Sequence, residues 1–343
     1  MIQKTLEKVV NGETLTKEEA SDVMTRMLEG RLSSEQIASL ISILRFRGES
    51  AEEISGFLQA MRMFMKTVDL SEEGPIMDTC GTGGDGASTF NISTAVAIVL
   101  SSMGVRVAKH GNRGVSSSSG SADVLEVLGI PVEQSPEEGQ KALKEKRLTF
   151  LYAPLYHSAM KHAAPARKAL GFRTIFNILG PLANPAQTKR QLIGLFDSTF
   201  AMPIAEALKE HGSEHVLLVS GKDGLDEISI CDTTDVVELK DGDIRRYSIS
   251  PDMFGMKRGS LNDLRVQNPE ESAEMIQSIF KGEASESACN IVILNAGAGL
   301  YVSGASSSIA EGVEKVKEAL NGGHVHQYFE GVLRQKGGEV HAG

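Results

Sequence analysis

The segment Ile76-Met77-Asp78-Thr79-Cys80-Gly81-Thr82-Gly83-Gly84-Asp85-Gly86 is an apolar start running into glycines, and Asn91-Ile92-Ser93-Thr94 then opens an apolar helical stretch, Ala95 to Met103. Strand, glycine turn and capped helix together place backbone N–H groups and a helix N-terminus around phosphate. A second cluster, Lys109 to Asp123, adds two cations (Lys109 and Arg113), a run of serines and further glycines at the next strand end. Such a loop can wrap several phosphate oxygens. Between Gly111 and Gly120 there is almost no apolar surface to hold the backbone, so phosphate contacts are expected to order it. The string Gly81-x-Gly83-x-x-Gly86 also satisfies a dinucleotide fingerprint, but Val105-Arg106-Val107-Ala108 leads into Lys109-His110 where an acid for a ribose hydroxyl is wanted. A basic residue would suit a 2′-phosphate, so that reading stays open. A Walker phosphate loop is excluded, since no Lys-Ser or Lys-Thr follows the glycines. Asp226-Glu227, after an apolar run and a glycine turn, offers adjacent acids of the kind Mg²⁺ shares with phosphates; such a pair by itself is usually a solvated turn, but its place beside the glycine-loop edge favours the metal. No Ser/His/Asp or Cys/His set stands out as a covalent nucleophile.

These groups need elements to hold them. From residue 76 onward short apolar runs alternate with helical stretches: Ile76 to Thr79, Val105 to Ala108, Leu148 to Leu151, Gln191 to Gly194, Val216 to Val219 and Ile291 to Leu294 read as strands. That alternation predicts an α/β fold, a large domain with a mostly parallel central sheet flanked by helices. Ser135-Pro136-Glu137-Glu138 and Asn268-Pro269-Glu270-Glu271 are helix starts, and Lys240-Asp241-Gly242-Asp243 reads as a hairpin joining Val236–Leu239 to Arg245–Ile249. The first 66 residues follow another grammar. Thr16 with Glu19, Ser33 with Gln36 and Ser50 with Glu53 are three capping boxes, each followed by apolar residues at helical spacing. They predict a small all-helical domain whose stripes need a further partner, either later helices or a second subunit.

With 343 residues the chain is long enough for about two domains and needs no staple. The net charge of −10 argues against a nucleic-acid-coating surface or an anionic membrane partner, so any anion site must be local. Cys80, Cys231 and Cys289 are too few and too scattered for a disulfide framework or zinc knuckle. No signal-like N-terminus and no long apolar run is present, and the expectation is a cytoplasmic protein.

The combined motifs carry a resemblance. Asp78 to Asp85, Asn91-x-Ser93-Thr94, Lys109-His110-Gly111-Asn112-Arg113, Ser117-x-x-Gly120-Ser121-Ala122-Asp123, Pro165-x-Arg167 and Leu170-Gly171-x-Arg173-Thr174 are similar to the anthranilate phosphoribosyltransferase family. So are Phe176-Asn177-x-Leu179-Gly180-Pro181-Leu182-x-Asn184-Pro185, Asp223-Gly224-Leu225-Asp226-Glu227 and Leu294-Asn295-Ala296-Gly297-Ala298, and the likeness spans nearly the whole chain. One departure is His157-Ser158, where the family usually has His-Pro; it alters a turn. The resemblance implies transfer of a phosphoribosyl group from phosphoribosyl pyrophosphate (PRPP) to the amine of anthranilate, in tryptophan biosynthesis. It implies that Gly81, Gly84, Asp85, Thr89, Asn91, Ser93, Thr94, Lys109, Ser117 and Ser121 hold PRPP. Gly81, Asn112 and Arg167 would address anthranilate, and Ser93, Asp226 and Glu227 would hold Mg²⁺. His110 is expected to be a loop residue with no proton-transfer role. The helical domain would comprise residues 1–66 joined by an insertion at 163–189, with 67–162 and 190–343 forming the α/β domain. A homodimer through the helical part is implied, in the stand-alone form with no amidotransferase segment ahead of residue 1.

Two rivals remain at this point. A pyrimidine nucleoside phosphorylase shares the fold type, but its usual lysine motif has Ser where this chain has Gly111, and it has no obvious use for Asp226-Glu227. A non-catalytic PRPP sensor would keep the glycine loops yet should lose the acidic pair or Arg167, and both are present.

Overall fold

The computed structural model describes residues 2–70, 73–114 and 119–333, apart from the Val332 side chain. Four helices come first: α1 (Ile2–Val10), α2 (Lys17–Leu28), α3 (Ser34–Arg47) and α4 (Ala51–Phe64). The expected capping boxes at Thr16, Ser33 and Ser50 are all formed, each hydroxyl accepting from the N–H three residues on and each Glu or Gln reaching back. The first helix, α1, was not signalled by the sequence pattern. The close seating of α2 on α4 depends on Gly56, where a Cβ would run into the Lys17 carbonyl.

The remaining chain alternates. β1 (Ile76–Gly81), α5 (Ile92–Ser102), β2 (Arg106–Gly111), α6 (Ser121–Val127), α7 (Pro136–Lys146) and β3 (Leu148–Tyr152) come first, then the short helices α8 (Ala153–Tyr156), α9 (Ala164–Leu170) and α10 (Ile175–Leu182). β4 (Arg190–Gly194), α11 (Ala201–Glu210), β5 (His215–Gly221), β6 (Thr234–Lys240) and β7 (Asp243–Ile249) complete the sheet, and α12 (Pro269–Lys281), α13 (Glu286–Ser303), α14 (Ile309–Asn321) and α15 (His324–Tyr328) follow. The seven strands lie in the order β3-β2-β1-β4-β5-β6-β7. All pairings from β3 to β5 are parallel, and β6 and β7 form the antiparallel hairpin expected at Asp241-Gly242.

One expected strand is a helix. Ile291 to Leu294 lies inside α13, whose residues from Ile291 to Leu300 are all buried. A helix surrounded by protein has apolar residues on every face, so its short apolar run carries no helical period and imitates a buried strand.

The stripes of the N-terminal helices find their partners in later helices. Ile37, Leu40, Ile54, Phe57 and Leu58 share one apolar cluster with Ala166 of α9, Ile175 and Leu179 of α10, and Ile204 and Leu208 of α11, and with Ile193 and Leu218 of the sheet. Residues 201–210 therefore contribute alongside the expected insertion at 163–189. The other face of the sheet packs on α5, α12, α13 and α14 through a second cluster.

Candidate active site

The chain runs β1 to β2 to β3 in one direction across the sheet, then returns to place β4 on the other side of β1. Such a reversal opens a crevice at the carboxyl ends of the two diverging strands. Those ends are Gly81 and Gly194, paired in register. Asp226, delivered by the turn after β5, sits against both: a Cβ on Gly81 would strike its carboxylate, and one on Gly194 would strike its backbone carbonyl. Glycine at 81 and 194 is thus what lets an acid into the seam. The Gly83 N–H donates to Asp226 Oδ2 at 2.7 Å. Gly83, Gly84 and Gly86 all take positive φ, the backbone curl that turns successive N–H groups inward.

Opposite this turn stands α5. The Ser93 backbone approaches the Glu227 carboxylate, and the Ser93 Oγ accepts from Lys109 Nζ at 3.1 Å. Lys109 is buried in β2 and also donates to the Thr79 carbonyl at 2.5 Å. Burial pulls its pKa down, and Asp78, Glu227 and Asp226 pull it back up. The acids are frustrated. Burial, then repulsion from Asp85, pushes Asp226 up to about 7, with the Gly83 N–H and the Arg173 charge opposing. Glu227 is raised well above the usual carboxylate range by withdrawal from water and by Asp226. Among the described residues no three His, Cys, Asp or Glu side chains could by themselves hold a metal ion. The donors therefore fit a cation that takes part of its oxygen shell from a bound ligand or water, the habit of Mg²⁺.

Asn91 was expected to cap α5, but its side chain makes no cap bond. Its Oδ1 instead accepts from Ser119 Oγ at 2.7 Å and from Ser272 Oγ at 2.8 Å, tying the serine loop and α12 to the start of α5. Thr89 bridges to Arg265, and the Phe90 N–H donates to the Leu264 carbonyl, so residues 264–266 strap this stretch down. Thr94 is fully buried, and its Oγ1 has no hydrogen-bond partner among the described residues.

Ser117 lies outside the described residues. The ends of its loop are closed by Asp123, whose Oδ2 accepts from the N–H groups of Gly114 (2.8 Å) and Gly120 (3.0 Å). Ser121 Oγ donates to the Asn112 carbonyl at 3.3 Å. Arg113, expected as a second phosphate cation, is engaged elsewhere: it forms two 2.7 Å bonds with Glu126, pairs with Asp123 and covers the Tyr152 ring. Its partners are Asp123, three residues into α6, and Glu126, one turn later. His110 is not in a loop. It is a buried residue of β2, its ring 5.1 Å from that of His157, and burial, then His157, lowers its pKa to about 3. Arg167 stands on α9, away from the glycine turn in sequence, with its guanidinium 5.2 Å from the Phe176 ring centre.

The model for a glycosyl transferase family a/b domain matches residues 73–326, and the helical bundle domain of the same family matches residues 3–65. The anthranilate phosphoribosyltransferase of Geobacillus sp. (strain WCH70) is 56% identical over 342 residues, covering 100% of both chains. The chain belongs to the anthranilate phosphoribosyltransferase family. The crystal structure of the Thermus thermophilus family member has a TM-score of 0.88 at 40% identity, covering 95% of this chain and 97% of that one. That of the Saccharomyces cerevisiae family member in complex with PRPP and Mg has a TM-score of 0.85 at 26% identity, covering 97% and 96%.

Two residues of the family motifs, to which the sequence assigned no role, support the site of this anthranilate phosphoribosyltransferase family member. Asn295 is one: from buried α13 its Oδ1 accepts from the Ile228 N–H and its Nδ2 donates to the Ile228 carbonyl, both at 2.9 Å, pinning the turn that carries Asp226 and Glu227. Asn184 is another, donating to Asp78 Oδ2 at 2.7 Å and so fixing the floor of β1 beside Lys109. A polar residue inside an apolar run was the available signal in both cases.

Proposed function

We propose that this crevice carries the family's reaction, transfer of the 5-phosphoribosyl group from PRPP to the amine of anthranilate, giving N-(5-phosphoribosyl)anthranilate and pyrophosphate. The observation that supports it most strongly is the seating of Asp226 on the Gly81–Gly194 seam, beside a phosphate-type glycine turn and the buried Lys109. The chain is a pentosyltransferase of the tryptophan pathway, with small-molecule substrates. The bond between C1 of the ribose and the pyrophosphate oxygen breaks as the amine nitrogen bonds to C1. The pyrophosphate leaves with both bonding electrons, and the amine proton passes to solvent or to the departing oxygens. Because the aromatic amine is already uncharged at neutral pH, no protein base is required. Aligning the two substrates and neutralising the leaving group are the tasks left to the protein.

In this reading Gly81, Gly84, Asp85, Thr89, Asn91, Ser93, Thr94, Lys109, Ser117 and Ser121 hold PRPP. The N–H groups of the glycine turn and the α5 N-terminus face the phosphates, and Lys109 orients Ser93 from below. Asp226, Glu227 and the Ser93 hydroxyl would hold Mg²⁺, which when bound offsets the negative charge of the pyrophosphate. Gly81, Asn112 and Arg167 address anthranilate, Arg167 through a planar fork matched to a carboxylate. The helical part (1–66 with 163–189) and the α/β part (67–162 and 190–343) are assigned as the two domains. A cytoplasmic homodimer through the helical part completes the proposal, with the exposed Phe46 of α3 as an apolar residue that such an interface would cover.

Mixing purified protein with anthranilate, PRPP and Mg²⁺ tests the reading through loss of anthranilate fluorescence. Replacing Asp226 and Glu227 by Ala should abolish that loss while circular dichroism stays unchanged. Full turnover by the double variant at ordinary Mg²⁺ would reject the assignment.

A further inference from the structure

Arg167 and Arg173 stand on one short segment that turns through Gly171 (φ +67) and enters α10 at Thr174, whose N–H donates to Asn177 Oδ1 at 3.0 Å. Arg167 stacks on Phe176 within the segment, but Arg173 leaves it. Its guanidinium lies 4.2 Å from the centre of the Phe196 ring, in the loop after β4. It also lies against the glycine turn after β1, since a Cβ on Gly84 would come within 2.7 Å of its Nε. Phe196 is itself anchored to that turn, its N–H donating to Thr82 Oγ1 at 3.1 Å while the Thr82 N–H donates to the Gly194 carbonyl at 2.9 Å. A second guanidinium, Arg45 at the end of α3, approaches the same ring at 5.8 Å and the neighbouring Phe200 at 5.4 Å. An Arg–Phe–Arg stack thus joins three pieces of chain: the helical part, the segment bearing Arg167, and the loops at the Gly81–Gly194 seam. Arg is suited to this because its flat face stacks on an aromatic ring while its edge remains free to lie on backbone.

We propose that Arg173 is a positioning residue that locks the segment carrying Arg167 onto the glycine turn, and so sets the distance between the bound aromatic amine and C1 of the ribose. The inference rests on the functional reading above. Arg173 acts through Gly84 and Phe196 and need not touch either substrate. Alignment errors of about 1 Å cost roughly a hundredfold in rate while leaving each substrate's own contacts in place. The effect therefore belongs in kcat.

The experiment compares wild type, Arg173→Ala, Arg173→Lys, Phe196→Leu and the Arg173→Ala/Phe196→Leu pair, with kcat and both KM values measured at saturating Mg²⁺ and melting followed by circular dichroism. The expected result is a kcat reduced about 10- to 100-fold in each single variant, with both KM values changed by less than about threefold. Arg173→Lys should not restore the rate, since an ammonium has no face to stack. The double variant should be little worse than either single one, because both break one contact. If Arg173→Ala does not fold, Arg173→Lys and Phe196→Leu carry the same expectation. A wild-type kcat in Arg173→Ala, fully multiplicative losses in the double variant, or a rise confined to the KM of PRPP would each overturn the proposal, the last by showing a direct phosphate contact. Absence of turnover in the wild type under these conditions would instead count against the functional reading itself.

Discussion

Asp226 reaches the β1–β4 seam because two opposed residues, 81 and 194, have no side chain. Gly194 was absent from the residues singled out in the sequence, yet a methyl group there would collide with the Asp226 carbonyl, which is backbone and cannot swing aside. Gly194→Ala should therefore displace the acidic turn and lower kcat by about 10²-fold or more, with the fold kept, since the strand pairing itself tolerates Ala. Steady-state kinetics with a Mg²⁺ titration is the check; near-normal activity would mean the turn can move without harm. His110 offers a different test. Burial lowers its folded-state pKa to about 3, against the ordinary value near 6.5 expected when unfolded. The unfolded chain then takes up a proton that the folded one refuses. The stability tied to neutral His110 is complete above about pH 6.5 and is lost as pH falls toward 3, at up to roughly 1.4 kcal/mol per unit. His110→Asn should shallow the fall in urea midpoint between pH 7 and pH 5. An unchanged slope would show that other groups govern acid lability.

The strands at 76–81, 106–111, 148–152, 190–194 and 215–221 were legible because each holds a short apolar run set between helical stretches, and the capped helices because Ser, Thr or Asn precedes Glu or Gln by three. The glycine turn, Lys109 and the acidic pair were legible for a related reason: phosphate chemistry demands residue types that a core does not supply. What could not be read was placement across the fold. The spacing could not say that Arg113 meets Glu126 of the next helix, nor that Ser119 and Ser272 rather than the α5 backbone engage the Asn91 side chain. α13 shows the same limit. Its apolar run imitates a strand, and the helix it forms carries Asn295 to the back of the Asp226-Glu227 turn. Asn295→Ala would leave the buried N–H and carbonyl of Ile228 without partners, a cost of a few kcal/mol at about 1–3 per group. A lower urea midpoint together with a raised Mg²⁺ requirement is expected. Lost stability with an unchanged Mg²⁺ requirement would mean that Asn295 supports the core and not the acids.

The N-terminal helices needed a partner, and most of what covers them comes from this same chain. Met24, Leu40, Ile54 and Phe57 are sealed by α9, α10 and α11, so the helical part is built onto the sheet and is no loose appendage. That leaves the outward side of the bundle to account for. Phe46 is 94%, Val10 65% and Met63 61% exposed, on three of the four N-terminal helices or their ends. An exposed phenylalanine gains about 2 kcal/mol when withdrawn from water, enough to weaken an association about 30-fold if it is removed from a centre of contact. Phe46→Asp would go further by placing a charge there, while nothing in the interior depends on this side chain. Sedimentation velocity at micromolar concentration is expected to give a dimer for the wild type and a monomer for Phe46→Asp with an unchanged circular dichroism spectrum. Each protomer contains a whole Gly81–Gly194 seam with its own Asp226 and Lys109, so the monomer should keep most of its kcat. A wild type that sediments as a monomer, or a Phe46→Asp variant that stays dimeric, would remove Phe46 from the interface.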